Sequence, residues 1–289
     1  MWDPETYRKF GEQRSRPFFE LTARIGASAP EFVTDLGCGP GELTAELCAR
    51  WPQADVLGVD NSAEMIAAAQ SLLNAEVPEV PEVAGSAARL VQAGSVRAAN
   101  AERGGRTWPR LRFELADVRD WQPGRPVDVL VSNALLQWVP DHEDLLIRWA
   151  GQLAPGGWLA FAVPANFGQP AHALMRELAA TARWRRQLRA VEFNRQTADP
   201  AAYLDVLARA GCAVDAWETT YLHVLDGEDA VLRWYEGTGL RPVLAALDPG
   251  QAAAFTSEYG ALLRDAYPRR PYGTVLPFRR VFAVARRPG

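Results

Sequence analysis

Lysine is almost missing from this chain: of 31 basic residues only Lys9 is a lysine, and the rest are arginines. Chemistry that needs a lysine amine, such as a Schiff base or a phosphate-binding P-loop, is thereby excluded. Cysteine and histidine are nearly as scarce, with three of each. Cys38, Cys48 and Cys212 are too few and too scattered for a disulfide framework, which points to a reducing compartment, the cytoplasm. His142, His172 and His223 are far apart, with no metal-ligand spacing, so no metal is expected. No stretch of about 20 uncharged apolar residues occurs, and Met1-Trp2-Asp3-Pro4-Glu5 does not open a secretory leader, so no membrane segment is expected. There is no block of basic residues and the net charge is -4, which argues against nucleic acid as a partner. What remains is a globular composition, 289 residues with 48% hydrophobic and 23% charged, expected to act as a monomer on a small molecule.

Short apolar runs alternate with segments of helical period, the pattern of a parallel sheet covered on both faces by helices. Strands are expected at 31–35, 55–60, 111–115, 127–132 and 158–163, with helices at 41–50, from Ser62 to about Leu73, and at 141–153. Pro155-Gly156-Gly157 reads as a tight turn between the last of these helices and its strand. Two late strands, 213–223 and 277–285, enclose a helical stretch at about 227–268 that reads as a lid, so the sheet is expected to be mostly parallel with an antiparallel final strand. Residues 75–109, rich in Pro, Ala, Gly and Glu, read as a flexible insertion within a single domain.

The candidate site begins at Asp35-Leu36-Gly37-Cys38-Gly39-Pro40-Gly41, between the first strand and its helix. Gly37, Gly39 and Gly41 let the chain turn sharply and leave bare backbone beside a helix N-terminus, where a ligand can lie. A dinucleotide fingerprint would carry another glycine where this chain has Glu42, whose charge would repel a pyrophosphate. A nucleoside without phosphates suits the loop better. Asp60 ends the second strand, where a carboxylate can take hydrogen bonds from ribose hydroxyls; Asp117 follows the third strand and Asn133 ends the fourth. Polar groups at successive strand ends line one crevice in an open sheet.

Through Asp35 to Gly41, Asp60, Asp117 and Leu153-Ala154-Pro155-Gly156-Gly157 the chain resembles the class I S-adenosylmethionine-dependent methyltransferases. More narrowly it is similar to the trans-aconitate methyltransferases, through Trp2-Asp3-Pro4, Arg14-Ser15-Arg16-Pro17, Leu135-Leu136-Gln137-Trp138-Val139-Pro140-Asp141-His142 and Pro170-Ala171-His172-Ala173-Leu174-Met175-Arg176. Further matches are Trp217 to His223, Gly237 to Pro242 and Phe278 to Phe282. The resemblance implies a Rossmann-like methyltransferase sheet, S-adenosyl-L-methionine as cofactor held by Asp35, Gly37, Gly39, Gly41, Asp60, Asp117 and Asn133, and monomethyl esterification of a polycarboxylate.

A carboxylate with a reference pKa near 4 is already ionised at neutral pH, so such an acceptor needs no general base and no catalytic acid–base residue is expected. Its other carboxylates require forked cationic partners. Candidates are Arg16, Arg241, Arg279 and Arg280, helped by Tyr7, Trp138, Tyr221 and His223. Two alternatives stay open on the residues alone: transfer to another small acid or a natural-product hydroxyl, and a protein that binds the nucleoside without turnover.

Overall fold

The computed structural model describes residues 11–74, 110–193 and 197–289. The stretch 75–109 and Tyr7 therefore lie outside the described residues. After helix α1 (Gly11–Ala23), the chain runs through β1 (Phe32–Leu36), α2 (Glu42–Arg50), β2 (Asp55–Asp60), α3 (Ala63–Asn74), β3 (Leu111–Leu115) and β4 (Val127–Asn133). Then come α4 (His142–Gln152), β5 (Leu153–Pro164), α5 (Pro170–Ala180), α6 (Pro200–Arg209) and β6 (Ala213–Leu225). Helices α7 (Ala230–Glu236), α8 (Arg241–Ala245) and α9 (Pro249–Ala266) occupy the region read as a lid, and β7 (Thr274–Arg286) closes the chain.

The seven strands form one sheet in the order β3-β2-β1-β4-β5-β7-β6. Pairings from β3 across to β5 are parallel, and β7 is antiparallel to both β5 and β6. The α/β reading with an antiparallel final strand holds. All five residues of β1 are buried, as a central strand covered on both faces requires. Alternation then divides the core: Phe32 and Leu130 join one apolar cluster, while Val33, Val129 and Val131 join the cluster on the opposite face. A third cluster, around Trp184, Trp234, Tyr235, Phe255 and Tyr259, lies under the three late helices.

The expected turn at Pro155-Gly156-Gly157 is corrected. Strand β5 begins at Leu153, opposite Val127, and the three residues form an irregularity inside it, because the next pairing is Val129 with Trp158. A Cβ on Gly157 would sit 2.8 Å from the Ala154 carbonyl oxygen and 2.9 Å from that of Val127, so this backbone approach admits only glycine. Helices α1, α5 and α6 had no counterpart in the sequence reading.

Chain order reverses at β1: the chain moves outward through β2 and β3, then returns to place β4 on the other side of β1. The carboxyl ends of β1 and β4 therefore face a crevice with no crossover connection over it, the position where open α/β sheets take ligands.

Candidate active site

At that crevice lies a cavity of about 910 Å³, lined among others by Gly37, Gly39, Asp60, Asp117, Asn133, Trp138 and Arg241. Four strand ends and the helix α8 contribute, so the structure brings together seven of the residues singled out in the sequence.

The glycine loop is shaped by its own backbone. Gly37, Gly39 and Gly41 have φ of 79°, 55° and 85°, a left-handed region that side chains disfavour. The Gly37 and Cys38 amides donate to the Val59 carbonyl, at 2.8 and 3.0 Å, and so tie the loop to β2. The three glycines then differ. A Cβ on Gly41 would lie 2.6 Å from Phe113 Cζ, and one on Gly37 2.8 Å from Leu135 Cβ, whereas a Cβ on Gly39 would meet nothing within 4 Å. Gly37 and Gly41 are thus required by packing, and Gly39 leaves open space along the cavity wall.

Asp60 does two jobs at once. One carboxylate oxygen accepts from the Gly39 amide at 3.0 Å and the other from the Ser62 amide at 2.9 Å. The same side chain thus fixes the glycine loop and the entrance to α3, where Ser62 Oγ accepts from the Met65 amide at 3.3 Å. Asp117 accepts from the Arg119 guanidinium at 2.6 and 3.0 Å. That contact is the main cause of its carboxyl pKa falling to about 2. Asn133 Oδ1 accepts from Arg280 Nη1 at 3.2 Å.

Asp35 and Gly41 are not on the wall. Asp35 is 3% exposed, beneath the loop, and accepts from Thr44 Oγ1 at 2.7 Å. Burial raises its pKa to about 7, opposed by the Thr44 hydrogen bond and reinforced by the Asp60 charge.

A second, smaller cavity of about 150 Å³ adjoins the first and shares Ala134, Trp138, Thr238 and Pro242 with it. Its wall combines apolar groups (Met175, Phe167, Trp234, Phe278) with Asn166, His172, Arg176, Tyr235 and Arg280. Arg280 is 7% exposed, and Arg176 Nη1 donates to the Phe167 carbonyl at 2.7 Å. Of these, only Arg280 was a candidate from the sequence. Asn166, His172, Arg176 and Tyr235 were missed as site residues, although His172 and Arg176 fall within a segment that carried the family resemblance.

Four expected acceptor contacts lie elsewhere. Arg279 forms an ion pair with Glu218 on the neighbouring strand. Arg16 pairs with Glu20 at 2.8 Å, with its guanidinium 5.0 Å from the Tyr221 ring centre. Tyr221 donates to the other Glu20 oxygen at 2.7 Å, which docks α1 on the sheet. His223 is stacked between Tyr221 and Trp234, with ring centres 5.9 and 5.1 Å away. Burial, aided by the Arg280 and Arg16 charges, lowers its pKa to about 4, so it is neutral at pH 7. None of these four lines either cavity.

The large cavity fits a cationic nucleoside without phosphates. Asp60, Asp117 and Glu236 stand on its wall, and of its two arginines Arg119 is already engaged by Asp117. The open space over Gly39 admits a ligand against bare peptide.

Comparison with known proteins agrees with this geometry. Residues 10–216 match a family model described as a methyltransferase domain. A trans-aconitate 2-methyltransferase of Streptomyces avermitilis is 48% identical over 98% of this chain and 96% of its own length. Another so named, from Rhodococcus jostii, is 46% identical over 99% of each chain. Among solved structures, a phosphoethanolamine N-methyltransferase 2 of Haemonchus contortus, in complex with phosphomonomethylethanolamine and S-adenosylhomocysteine, superposes with a TM-score of 0.53. It shares 14% identity, over 98% of this chain and 56% of that one, so the likeness is one of fold.

Proposed function

This chain belongs to the trans-aconitate 2-methyltransferase family of S-adenosylmethionine-dependent methyltransferases, and from that premise we propose that it converts trans-aconitate to a monomethyl ester. The observation that carries the reading is the pair of joined cavities, the larger glycine-lined with three carboxylates against two arginines, the smaller with two arginines against the single carboxylate of Glu192.

When bound, S-adenosylmethionine supplies a methyl group on a sulfonium, which an acceptor carboxylate oxygen takes while the sulfur keeps the bonding electrons. Everything else falls to positioning. Gly37 and Gly39 present backbone to the nucleoside, Asp60 takes its ribose hydroxyls, and Asp117 and Asn133 stand at the next strand ends along the same wall. Asp35 and Gly41 act from beneath, by holding the loop in shape. On the acceptor side Arg280 and Arg176 offer forked donors to carboxylates. The shared wall of Trp138, Ala134, Thr238 and Pro242 is where the two ligands would meet, against mostly apolar groups. Arg241, on the larger cavity, faces the same junction from α8.

No general base is required, because the nucleophile is ionised before it binds. The neutral state of His223 accords with that. The described residues that line both cavities come from one chain, and a monomer accords with that. Among the described residues no helix is long and apolar enough to cross a membrane, and Cys38, Cys48 and Cys212 form no disulfide; a reducing compartment such as the cytoplasm suits the cysteines.

The test is direct. The protein is incubated with methyl-labelled S-adenosylmethionine and a panel of di- and tricarboxylates, and the products are read by mass spectrometry before and after mild alkali. We expect one labelled methyl on trans-aconitate, removed by alkali as an ester must be. A labelled product that survives alkali points to a hydroxyl acceptor, and no transfer to any acid contradicts the assignment.

A further inference from the structure

Tyr235 in the small cavity is not among the residues through which the sequence announced an acceptor site. It is 2% exposed, on helix α7, and lines that cavity. Its hydroxyl accepts a hydrogen bond from Asn166 Nδ2 at 3.2 Å. A phenol has one proton to give, and Asn166 occupies the accepting side of the oxygen. Among the described residues no acceptor takes the Tyr235 proton. A buried O–H without an acceptor is rare in a folded protein and is costly to leave unmade.

The surroundings keep this donor in place. The His172 ring meets that of Tyr235 edge to face, with centres 5.1 Å apart at 82°. Asn166 is itself 2% exposed, and its backbone carbonyl accepts from the Gln169 amide at 2.9 Å as the chain enters α5. The ring and the amide that orient the hydroxyl are thus both anchored, and the remaining direction for the proton is the cavity. There Arg176 and Arg280 outnumber the one carboxylate on the same wall, Glu192, so the local balance is positive and an anionic hydrogen-bond acceptor suits the Tyr235 proton.

We propose that Tyr235, oriented by Asn166, donates a hydrogen bond to a non-reacting carboxylate of the acceptor and so selects among acids. This rests on the reading of the small cavity as the acceptor site. Tyr235 is a positioning residue for the substrate and takes no proton during transfer. Burial pushes its phenol well above the ordinary tyrosine range, so it stays a donor at every pH at which the enzyme would work.

Steady-state kinetics on Tyr235→Phe and Asn166→Asp test the assignment, with melting temperature and S-adenosylhomocysteine affinity measured alongside. Tyr235→Phe keeps the ring and removes the proton. The KM for trans-aconitate should rise about 10- to 100-fold, the span of a lost hydrogen bond to a charged group, with kcat within about threefold and cofactor affinity unchanged. Asn166→Asp turns the donor into an acceptor that captures the tyrosine proton, so KM should rise at least as much although the tyrosine is intact. A KM within about twofold of wild type in Tyr235→Phe overturns the proposal, as does a loss confined to kcat or to cofactor binding. If Asn166→Asp fails to fold, Tyr235→Phe decides alone. Wild-type protein that does not methylate trans-aconitate overturns the underlying reading, and the proposal with it; active wild type with an indifferent Tyr235→Phe overturns the proposal only.

Discussion

The two cavities touch at Ala134 and Trp138, yet they are built on opposite plans. The larger is floored by strand ends and backbone, with a glycine loop, one carboxylate that pins it and further polar groups at the next strand ends, while α7 and α8 supply only its far wall. The smaller is made of side chains from helices, loops and the last strand, its apolar ones placed by packing under the late helices and its arginines by hydrogen bonds to Phe167 and Asn133. A site of the first kind is written in contiguous residues and tolerates little change in its backbone. A site of the second kind can change its occupant by exchange of a ring or an arginine. The same architecture would therefore keep its cofactor while altering its acceptor.

That contrast can be broken most forcibly at the glycine loop. Gly41→Val places a branched side chain at a φ of 85° against Phe113 and Ala69, so it should cost roughly 3–5 kcal/mol of stability in urea unfolding. Gly39→Ala, with open space around its Cβ, should cost only about 1 kcal/mol of stability, yet weaken cofactor binding at least about tenfold in calorimetry. Equal stability losses in the two variants would show that the loop is packed uniformly and that Gly39 is not reserved for a ligand.

The next test uses adjacent residues of β7. Arg280 points into the small cavity, whereas Arg279 pairs with Glu218 across β6. Arg280→Ala should lower kcat/KM for the tricarboxylate by about 2–4 kcal/mol, with cofactor affinity changed by less than about threefold. Arg279→Ala should change it by no more than about 0.5 kcal/mol, as expected of an exposed pair. Comparable losses from both would remove the distinction between the two faces of the strand.

The last test is a pH profile and concerns Asp35, which supports the large cavity from below. Its folded pKa, about 7, lies above the ordinary value of 3.8, so between those two pH values the native state holds a proton that the unfolded state has released. Its contribution to stability is therefore full below about pH 4 and is lost as pH rises through 7. Asp35→Asn, which can still accept from Thr44, should remove a slope of up to about 1.4 kcal/mol per pH unit from the stability profile over this window. An unaltered slope, measured by urea unfolding from pH 4 to 8, would mean that Asp35 is not protonated beneath the loop.

Legibility in the sequence follows the same division. Gly37, Gly39, Asp60, Asp117 and Asn133 could be found because each sits at the end of a short apolar run, and a parallel sheet sends all such ends to one edge. The boundaries of β2 and β3 were legible for the same reason, whereas β5 starts five residues before the expected 158 because glycine and proline signal a turn as readily as a strand irregularity. On the acceptor side sequence had far less to offer. Arg279 and Arg280 are equivalent candidates until β7 is registered against β5 and β6, which alone decides which of them faces inward. Tyr221, His223 and Arg16 looked like contacts for a polar ligand and instead dock α1 and stack within the core. Tyr235 and Asn166 are 69 positions apart and meet only through the packing of α7 on the loop before α5, so no local pattern announces them.

The most direct measurement is a crystal structure of the protein with both S-adenosylhomocysteine and trans-aconitate bound. The account predicts the nucleoside along Gly39 with its ribose on Asp60, and the tricarboxylate in the small cavity with carboxylates on Arg280 and the Tyr235 hydroxyl. A tricarboxylate bound instead at Arg16 or Arg279, or a nucleoside away from the glycine loop, would contradict the division of labour between the two cavities.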